Sequence, residues 1–168
     1  NMDIDINNII DVIESDMHRY EHLHDKLISF ITKDPNLKNL VHSHKSRFKN
    51  FEHIKEKIKR KNEESRKNNN QELISKENIK SKITDICGIR ILHLYVGQFS
   101  SIHKVIMGYV KSGELALFEK PKAYTWDPEY KNYFLSLGVE SELKESFYTS
   151  VHYVVKPRED SDITCEIQ

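Results

Sequence analysis

The chain has 168 residues, the size of one domain, and no apolar run reaches the roughly 18 residues of a membrane span. The formal net charge is zero, but residues 42–67 hold ten Lys or Arg against four Glu, whereas residues 113–168 hold six against eleven acidic residues. The composition therefore excludes a membrane-spanning protein and predicts a basic part that suits polyanions and an acidic part that can hold a cation.

The first half of the chain is predicted to be mainly helical. Apolar residues recur at helical spacing across residues 6–31, and Asp34-Pro35 ends this pattern. A second helix is predicted to begin near Asn50. The polar stretch 60–78 that follows is typical of a loose helix end or a mobile loop.

The middle of the chain alternates between strand and helix patterns. Residues 86–94 are predicted to form a strand, and residues 99–110 an amphipathic helix that ends at Gly113. Residues 115–118 are predicted to form a short strand.

The last third of the chain is predicted to contain a long connector and two strands. Residues 119–146 form the connector, with one helical turn near 130–137. Residues 148–155 and 163–168 alternate like two strands joined by a turn at 157–162. This order of elements favours an α+β fold in which helices flank a mixed β-sheet.

Tyr148 and His152 are candidate ligand-binding residues. Side chains alternate along a strand, so Tyr148, Ser150 and His152 share one face, and the two outer residues lie about 13 Å apart. That separation suits the two ends of a nucleotide, with the phenol ring stacked on a base and the imidazole near the phosphates. The alternative is a Tyr and a His on the solvated face of an antiparallel strand.

Two acidic residues form a candidate cation site. Glu166 and Gln168 share one face of the last strand, and Asp85 stands where the strand 86–94 begins. If these two strands are neighbours, Asp85 and Glu166 converge, and such a pair together with substrate phosphates is enough to hold Mg²⁺. The alternative is two unrelated surface acids.

The spacing of Asp85 and Arg90 predicts an irregularity between them. A regular strand would place residues five apart on opposite faces. Either a bulge at Gly88 resets the alternation, or Asp85 lies in the approach to the strand and Arg90 lies within it.

A basic run comes earlier in the chain, and its members are Arg47, Lys49, Lys57 and Arg60. In a helix that begins near Asn50, Lys57 and Arg60 are three residues apart and share a face. The run suits a clamp for a triphosphate, with Arg47 available to stack on a base. The alternative is a solvated helix face.

Four blocks resemble, in order, the motifs of the synthetase domain of the RelA/SpoT alarmone synthetases. They are Arg47-x-Lys49 with Lys57 and Arg60, Asp85-Ile-Cys-Gly-Ile-Arg90, Tyr148-Thr-Ser-Val-His152, and Glu166-Ile-Gln168. The resemblance implies a nucleotidyltransferase-like fold, related to that of DNA polymerase beta. It also implies transfer of the β,γ-pyrophosphate of ATP to the 3′-hydroxyl of GDP or GTP, which makes the alarmone (p)ppGpp and releases AMP.

The resemblance implies a role for each matched residue on the ATP side. The arginines that sandwich the adenine would be Arg47 and Arg90. The cations that neutralise the phosphates would be Lys49, Lys57 and Arg60, and the carboxylates that hold Mg²⁺ would be Asp85 and Glu166. Glu166 would also take the proton from the attacking hydroxyl.

On the acceptor side, the resemblance implies that Tyr148 stacks on the guanine, with His152 and Gln168 near its phosphates and ribose. The departures from the family pattern concentrate here. Phe147 replaces a glycine and Thr149 replaces a frequent arginine. The connector 119–146 does not match the lysine-containing guanine loop of the family, and Lys120 and Lys122 are candidates to substitute for that lysine. His53, in the first block, replaces a serine.

Two other functions remain open at this stage. Some small toxic members of the family pyrophosphorylate the 3′ end of tRNA, and the altered acceptor side makes tRNA an alternative acceptor. A non-catalytic nucleotide-binding module is the third hypothesis, which the presence of both Asp85 and Glu166 disfavours.

The predicted organisation is an N-terminal helix in residues 1–40 that packs on a synthetase domain in residues 41–168. Family members continue beyond the Glu-Ile-Gln block, so we expect the domain to be cut short at its C-terminal end. Cys87 and Cys165 lie in apolar strand-like contexts, which indicates reduced thiols and a cytoplasmic protein. Some small family members form homo-oligomers, which is an open expectation for this chain.

Overall fold

The computed structural model describes residues 2–69, 72–146 and 148–168, and for residues 2–4 only the backbone. It contains six strands: β1 Ser43–Phe48, β2 Cys87–Leu92, β3 Ala116–Thr125, β4 Glu140–Leu143, β5 Ser150–Lys156 and β6 Cys165–Ile167. The helices in the described residues are α1 Met2–Ser15, α2 Met17–Lys33, α3 Pro35–Lys38, α4 Phe51–Lys67, α5 Ile79–Lys82, α6 Phe99–Ser112 and α7 Pro128–Ser136, with a 3₁₀ turn at Val96–Gln98.

The strands form one mixed sheet in the order β1-β2-β6-β5-β3-β4. β6 pairs parallel with β2 and antiparallel with β5, and β4 pairs parallel with β3, while the other pairs are antiparallel. The predicted α+β class with a mixed, helix-flanked sheet is therefore confirmed. No helix in the described part of the chain is long and apolar enough to cross a membrane.

The two faces of the sheet differ in polarity. One face is buried beneath helices, because α2 packs on β2 and β6 while α6 and α7 pack on β3. Cys87 and Cys165 lie on this buried face as free thiols, with their Sγ atoms 3.1 Å apart. Directly paired residues share a face, so the pairs Gly88–Glu166 and Lys122–His152 belong to the opposite face. We call this second, polar surface the open face.

The N-terminal helical pattern forms two helices rather than the one predicted. The chain turns at Asp16, between α1 and α2, where the Asp16 amide donates to the carbonyl of Ile13. Lys80 binds the Asp16 carboxylate and also the Asp162 carboxylate at 3.0 Å, so ion pairs tie this turn to the loop before β6. The predicted end at Asp34-Pro35 is correct, because Asp34 caps α3 through the Asn36 amide.

Helix α4 begins as predicted, because the Asn50 side chain accepts a hydrogen bond from the His53 amide. Ile54 and Ile58 are fully buried on its inner face. The helix continues to Lys67, so the prediction of a loose end from residue 60 is wrong there. Lysine, arginine and glutamate are strong helix formers, and these residues dominate the extra two turns. Asn70 and Gln71, within the predicted loop, lie outside the described residues.

The prediction of a long connector at 119–146 is wrong. β3 extends to Thr125, and α7 and β4 follow it. Pro121 argued against a strand, because proline cannot donate a ladder hydrogen bond. It lies between Glu119 and Lys122, where the β3–β5 register shifts, and this irregular pairing tolerates proline. The helical turn predicted near 130–137 corresponds to α7, which begins earlier because Asp127 caps it and Pro128 occupies its first turn.

We predict that Lys80→Ala destabilises the protein, because it leaves the Asp16 carboxylate, which is 23% exposed, without its ammonium partner. The expected loss is about 1–2 kcal/mol in the free energy of unfolding, measured with urea. Lys82→Ala is the matched control, since Lys82 lies on the same short helix and pairs with the exposed Glu72. Equal losses in the two variants would show that the Lys80 ion pairs do not secure the turn.

Candidate functional site

The site is built around a carboxylate held by two lysines. Asp85 lies in the approach to β2, Lys49 follows β1, and Lys57 lies two turns into α4. The Lys49 ammonium is 2.7 Å from Asp85 Oδ2, and the Lys57 ammonium is 2.8 Å from Asp85 Oδ1. The three side chains are between 13% and 19% exposed, so their charges interact with little screening. The arrangement joins three separate segments of the chain at one point.

The lysines keep Asp85 ionised. Burial opposes ionisation of this carboxyl, but the hydrogen bonds and charges of Lys49 and Lys57 outweigh it, and the pKa of Asp85 is lower than its ordinary value. Lys61, one turn beyond Lys57, has a lowered pKa because of burial and the nearby Lys57 charge. The positive charge at this point exceeds what Asp85 neutralises, which favours an anionic ligand.

An open cleft of about 670 Å³ adjoins this cluster. All four members of the predicted basic run line it, together with Phe48, Asn50, His53 and Glu56. The structure therefore brings Arg47, Lys49, Lys57 and Arg60 to one surface. The alternative interpretation as an ordinary solvated helix face is less suitable, because the strand β1 and the helix α4 contribute cations to the same concavity. This basic cleft can accommodate a polyanion of nucleotide size.

The irregularity predicted between Asp85 and Arg90 is a bend at Ile86, before the strand begins. β2 pairs with β1 without a register shift, so no bulge occurs at Gly88. Of the two alternatives, Asp85 in the approach and Arg90 within the strand is the correct one. Arg47 pairs with Gly88 and therefore shares the open face with Arg90, although Arg90 does not line the basic cleft.

A hydrogen-bonded chain of three side chains lies in the middle of the open face. Glu166 Oε1 is 3.0 Å from His152 Nδ1, and His152 Nε2 is 3.1 Å from Ser150 Oγ. Ser150 and His152 alternate on β5, and Glu166 pairs with Val154 on the neighbouring strand. His152 and Glu166 are 28% and 24% exposed, which leaves both accessible to a ligand. His152 therefore contacts Glu166, the candidate proton acceptor, directly. Its predicted role, near the acceptor phosphates, did not include this contact.

Three further residues lie beside His152, and two of them, Tyr124 and Lys144, were missed in the sequence. The Tyr124 ring is 5.1 Å from the His152 ring in an edge-on arrangement, and the Lys144 ammonium lies 4.0 Å from the Tyr124 ring centre. Lys122 pairs with Glu142 at 3.0 Å and lies 5.5 Å from the same ring. The alternation of polar and small residues in Lys122-Ala123-Tyr124-Thr125 indicated a strand. It was not used, because these residues were assigned to the predicted connector.

Tyr148 is not part of β5, so the prediction that it shares a strand face with His152 is wrong. The strand begins two residues later, and Tyr148 is 83% exposed. The neighbouring Thr149 hydroxyl is 2.9 Å from that of Thr125, which holds this segment to the end of β3. Trp126, the single tryptophan of the chain, follows at the same end and is 49% exposed. Phe147 lies outside the described residues.

The predicted condition for a shared cation, that the two strands are neighbours, is met: Asp85 leads into β2, and Glu166 lies on β6. β2 and β6 are paired, with Gly88 opposite Glu166, and the Gln168 amide extends this pairing to Ile89. Among residues 2–69, 72–146 and 148–168, no group of three or more His, Cys, Asp or Glu could hold a metal ion. Two hard carboxylate donors nevertheless fit Mg²⁺, which commonly takes one or two carboxylates and completes its shell with phosphates and water.

The comparisons with known proteins agree with the sequence motifs. A profile described as "Region found in RelA / SpoT proteins" matches residues 46–168, which is most of the chain. The chain therefore belongs to the RelA/SpoT family, and the resemblance is confirmed. A search of curated proteins finds no match.

Among solved structures, the chain is similar to a GTP pyrophosphokinase family protein from Streptococcus pneumoniae, with 20% identity and a TM-score of 0.57. The match covers 93% of this chain and 66% of that one. It is also similar to small alarmone synthetase 1 from Bacillus subtilis bound to its product pppGpp, with 18% identity, a TM-score of 0.48 and coverage of 96% and 70%. The first likeness establishes the synthetase-type fold. The chain spans just under two thirds of that first relative.

We predict that Lys57→Ala weakens the binding of inorganic tripolyphosphate by about ten-fold, because it removes a charge-assisted contact from the basic cleft. Isothermal titration calorimetry at low salt measures the affinity. Lys55→Ala is the matched control, since Lys55 lies on the same helix, pairs with Glu52 and does not line the cleft. If both variants lose affinity equally, the anion responds to overall helix charge rather than to the cleft.

Proposed function

We propose that this protein transfers the β,γ-pyrophosphate of ATP to the 3′-hydroxyl of GDP or GTP, producing (p)ppGpp and AMP. One observation carries the proposal: a basic cleft with four Lys and Arg side chains adjoins an ionised Asp85, which leads into β2, and β2 pairs with the strand that bears Glu166. Membership of the RelA/SpoT family supports it. Phosphoryl-type transfer depends mostly on positioning and charge neutralisation, and these residues provide both.

The donor nucleotide occupies the basic cleft in this proposal. Lys49, Lys57 and Arg60 neutralise the triphosphate, and the guanidinium groups of Arg47 and Arg90 stack on the adenine. Asp85 and Glu166 would hold Mg²⁺, which when bound supplies further neutralisation of phosphate charge. The lysines that hold Asp85 also line the cleft, so donor phosphates and carboxylate share the same cations.

The acceptor lies across the middle of the open face. Its 3′-oxygen attacks the β-phosphorus of ATP, and the hydroxyl proton passes to Glu166. The bond between the β-phosphorus and the oxygen that bridges it to the α-phosphate breaks, and AMP leaves with that oxygen. Tyr148 stacks on the guanine, and Gln168, which follows Glu166 by two residues, contacts the ribose or phosphates.

The proposal predicts labelled guanosine tetra- or pentaphosphate when the protein is incubated with γ-labelled ATP, Mg²⁺ and GDP or GTP. If label passes only to tRNA, offered in parallel, the residues proposed to bind ATP keep their roles, and the acceptor is tRNA instead of GDP or GTP. Absence of transfer to any of the three, with ATP binding intact, would contradict the proposed activity and favour a nucleotide-binding module.

Glu166→Gln should lower kcat by at least about 100-fold, because the amide cannot accept the hydroxyl proton. ATP affinity should change little, since Glu166 does not line the basic cleft. Glu159→Gln is the matched control, because the Glu159 carboxylate lies in the turn after β5 and is 89% exposed. Unchanged turnover in Glu166→Gln would remove this residue from the mechanism.

Tyr148→Ala should raise KM for the guanosine nucleotide by about ten-fold and leave KM for ATP unchanged, since stacking on one base contributes about 1–3 kcal/mol. Phe118→Ala serves as the control, because Phe118 is also an exposed aromatic residue but lies at the other end of the β3–β5 pair, near Val155. An equal rise in both KM values would show that Tyr148 does not recognise the acceptor.

A further inference from the structure

The side chains around His152 fix the direction in which its ring points. Both ring nitrogens have partners: Nδ1 is 3.0 Å from Glu166 Oε1, and Nε2 is 3.1 Å from Ser150 Oγ. An ionised carboxylate can only accept, so Nδ1–H donates to Glu166. In the neutral ring, Nε2 then accepts from the Ser150 hydroxyl. A flipped ring would lose both hydrogen bonds.

Tyr124 restrains the same ring from the neighbouring strand. Its ring plane lies at 84° to that of His152, with the centres 5.1 Å apart. Tyr124 is in turn held by the ammonium groups of Lys144 and Lys122, at 4.0 Å and 5.5 Å from its ring centre. The register places Tyr124 opposite Ser150 and Lys122 opposite His152, so β3 and β5 both support the imidazole.

We propose that Ser150 and Tyr124 are positioning residues that orient Glu166 through His152. Neither contacts Glu166 itself. Ser150 holds Nε2 and with it the ring direction of His152, Tyr124 fixes the ring plane, and the Nδ1–H bond then fixes Glu166 Oε1. A third group that orients the partner of a reacting residue is a recurrent device in enzyme sites.

This inference rests on the proposed function, because it assigns the fixed carboxylate the task of accepting the hydroxyl proton. A carboxylate that rotates freely points at the acceptor hydroxyl for only part of the time, and a small misplacement is costly in rate. The loss should therefore appear in kcat and leave both KM values unchanged, because Ser150 and Tyr124 bind no substrate in this scheme.

The first test compares Ser150→Ala with Ser150→Thr. We expect kcat to fall about ten-fold in Ser150→Ala and to recover in Ser150→Thr, which keeps the hydroxyl and suits a strand. Ser43→Ala is the matched control, because Ser43 also lies on the open face but at the far edge, opposite Leu92. A rise in the acceptor KM at constant kcat would make Ser150 a substrate ligand and overturn the proposal, as would an unchanged kcat.

The second test replaces Tyr124. Tyr124→Phe keeps the ring and should retain nearly full kcat, whereas Tyr124→Leu removes the ring and should lower kcat about as much as Ser150→Ala. Equal loss in both Tyr124 variants would indicate that the phenol hydroxyl acts on the substrate, contrary to a positioning role.

A third measurement needs no turnover and separates this inference from the proposed function. The ring ¹⁵N shifts of His152 report its tautomer, which should be the Nδ1–H form in the wild-type protein and in Ser150→Thr. Ser150→Ala should move the Nε2 shift, because that nitrogen loses the hydroxyl that donates to it. An unchanged spectrum in Ser150→Ala would overturn the inference even if the protein makes the alarmone. An absence of transfer in the wild-type protein, with the expected spectra, would contradict the proposed function alone.

Discussion

The attraction between Asp85 and the two lysines Lys49 and Lys57 is the interaction on which the site depends. These groups come from the end of β1, the body of α4 and the approach to β2, and each is largely removed from water. Burying a single ammonium without a partner is costly, so the cluster is stable only when all three segments meet. The same contacts hold the lysine side chains at the wall of the basic cleft.

The strand order divides the open face into regions of different chemistry. β1 and β2, at one edge, carry Arg47 and Arg90, and β3 and β4, at the other, carry Tyr124 and the ion pair between Lys122 and Glu142. β6 lies between β2 and β5, so Glu166 occupies the middle. Because β6 follows both of its neighbours in sequence, the site forms only after this strand has inserted between two earlier ones. Such long-range pairing is typical of slowly forming topologies.

Much of the fold could be predicted because its signals are local. Asn50 is followed by a helix-forming run, and Gly113 ends α6 with a φ of 82°, a conformation that glycine adopts readily. The turn at Asp16 could not be predicted, since the apolar spacing continues across it and the ion pairs of Lys80 that secure it join residues far apart in sequence. The length of β3 was also hidden, because Pro121 argues against a strand unless the register shift is known.

The candidate site was predicted in its composition more than in its geometry. The shared face of Lys57 and Arg60 followed from helical spacing, but β1, which carries Arg47, was not predicted. The neighbouring positions of β2 and β6 depend on a parallel pairing that no short-range pattern encodes. Tyr148 was placed on the strand because the alternation Tyr148, Ser150, His152 is regular, yet the strand begins only at Ser150. The His152–Glu166 contact joins residues on different strands and needed the register.

The position of Trp126 gives the molecule an optical property. As the single indole in the chain, half exposed at the end of β3, it lies next to Thr125, whose carbonyl accepts from the Lys144 amide. Tryptophan emission from this protein therefore originates from one known place, where the end of β3 meets the segment that contains Lys144. Its colour and intensity respond to whatever changes the water and charge at that end of the sheet, without a dye or a label.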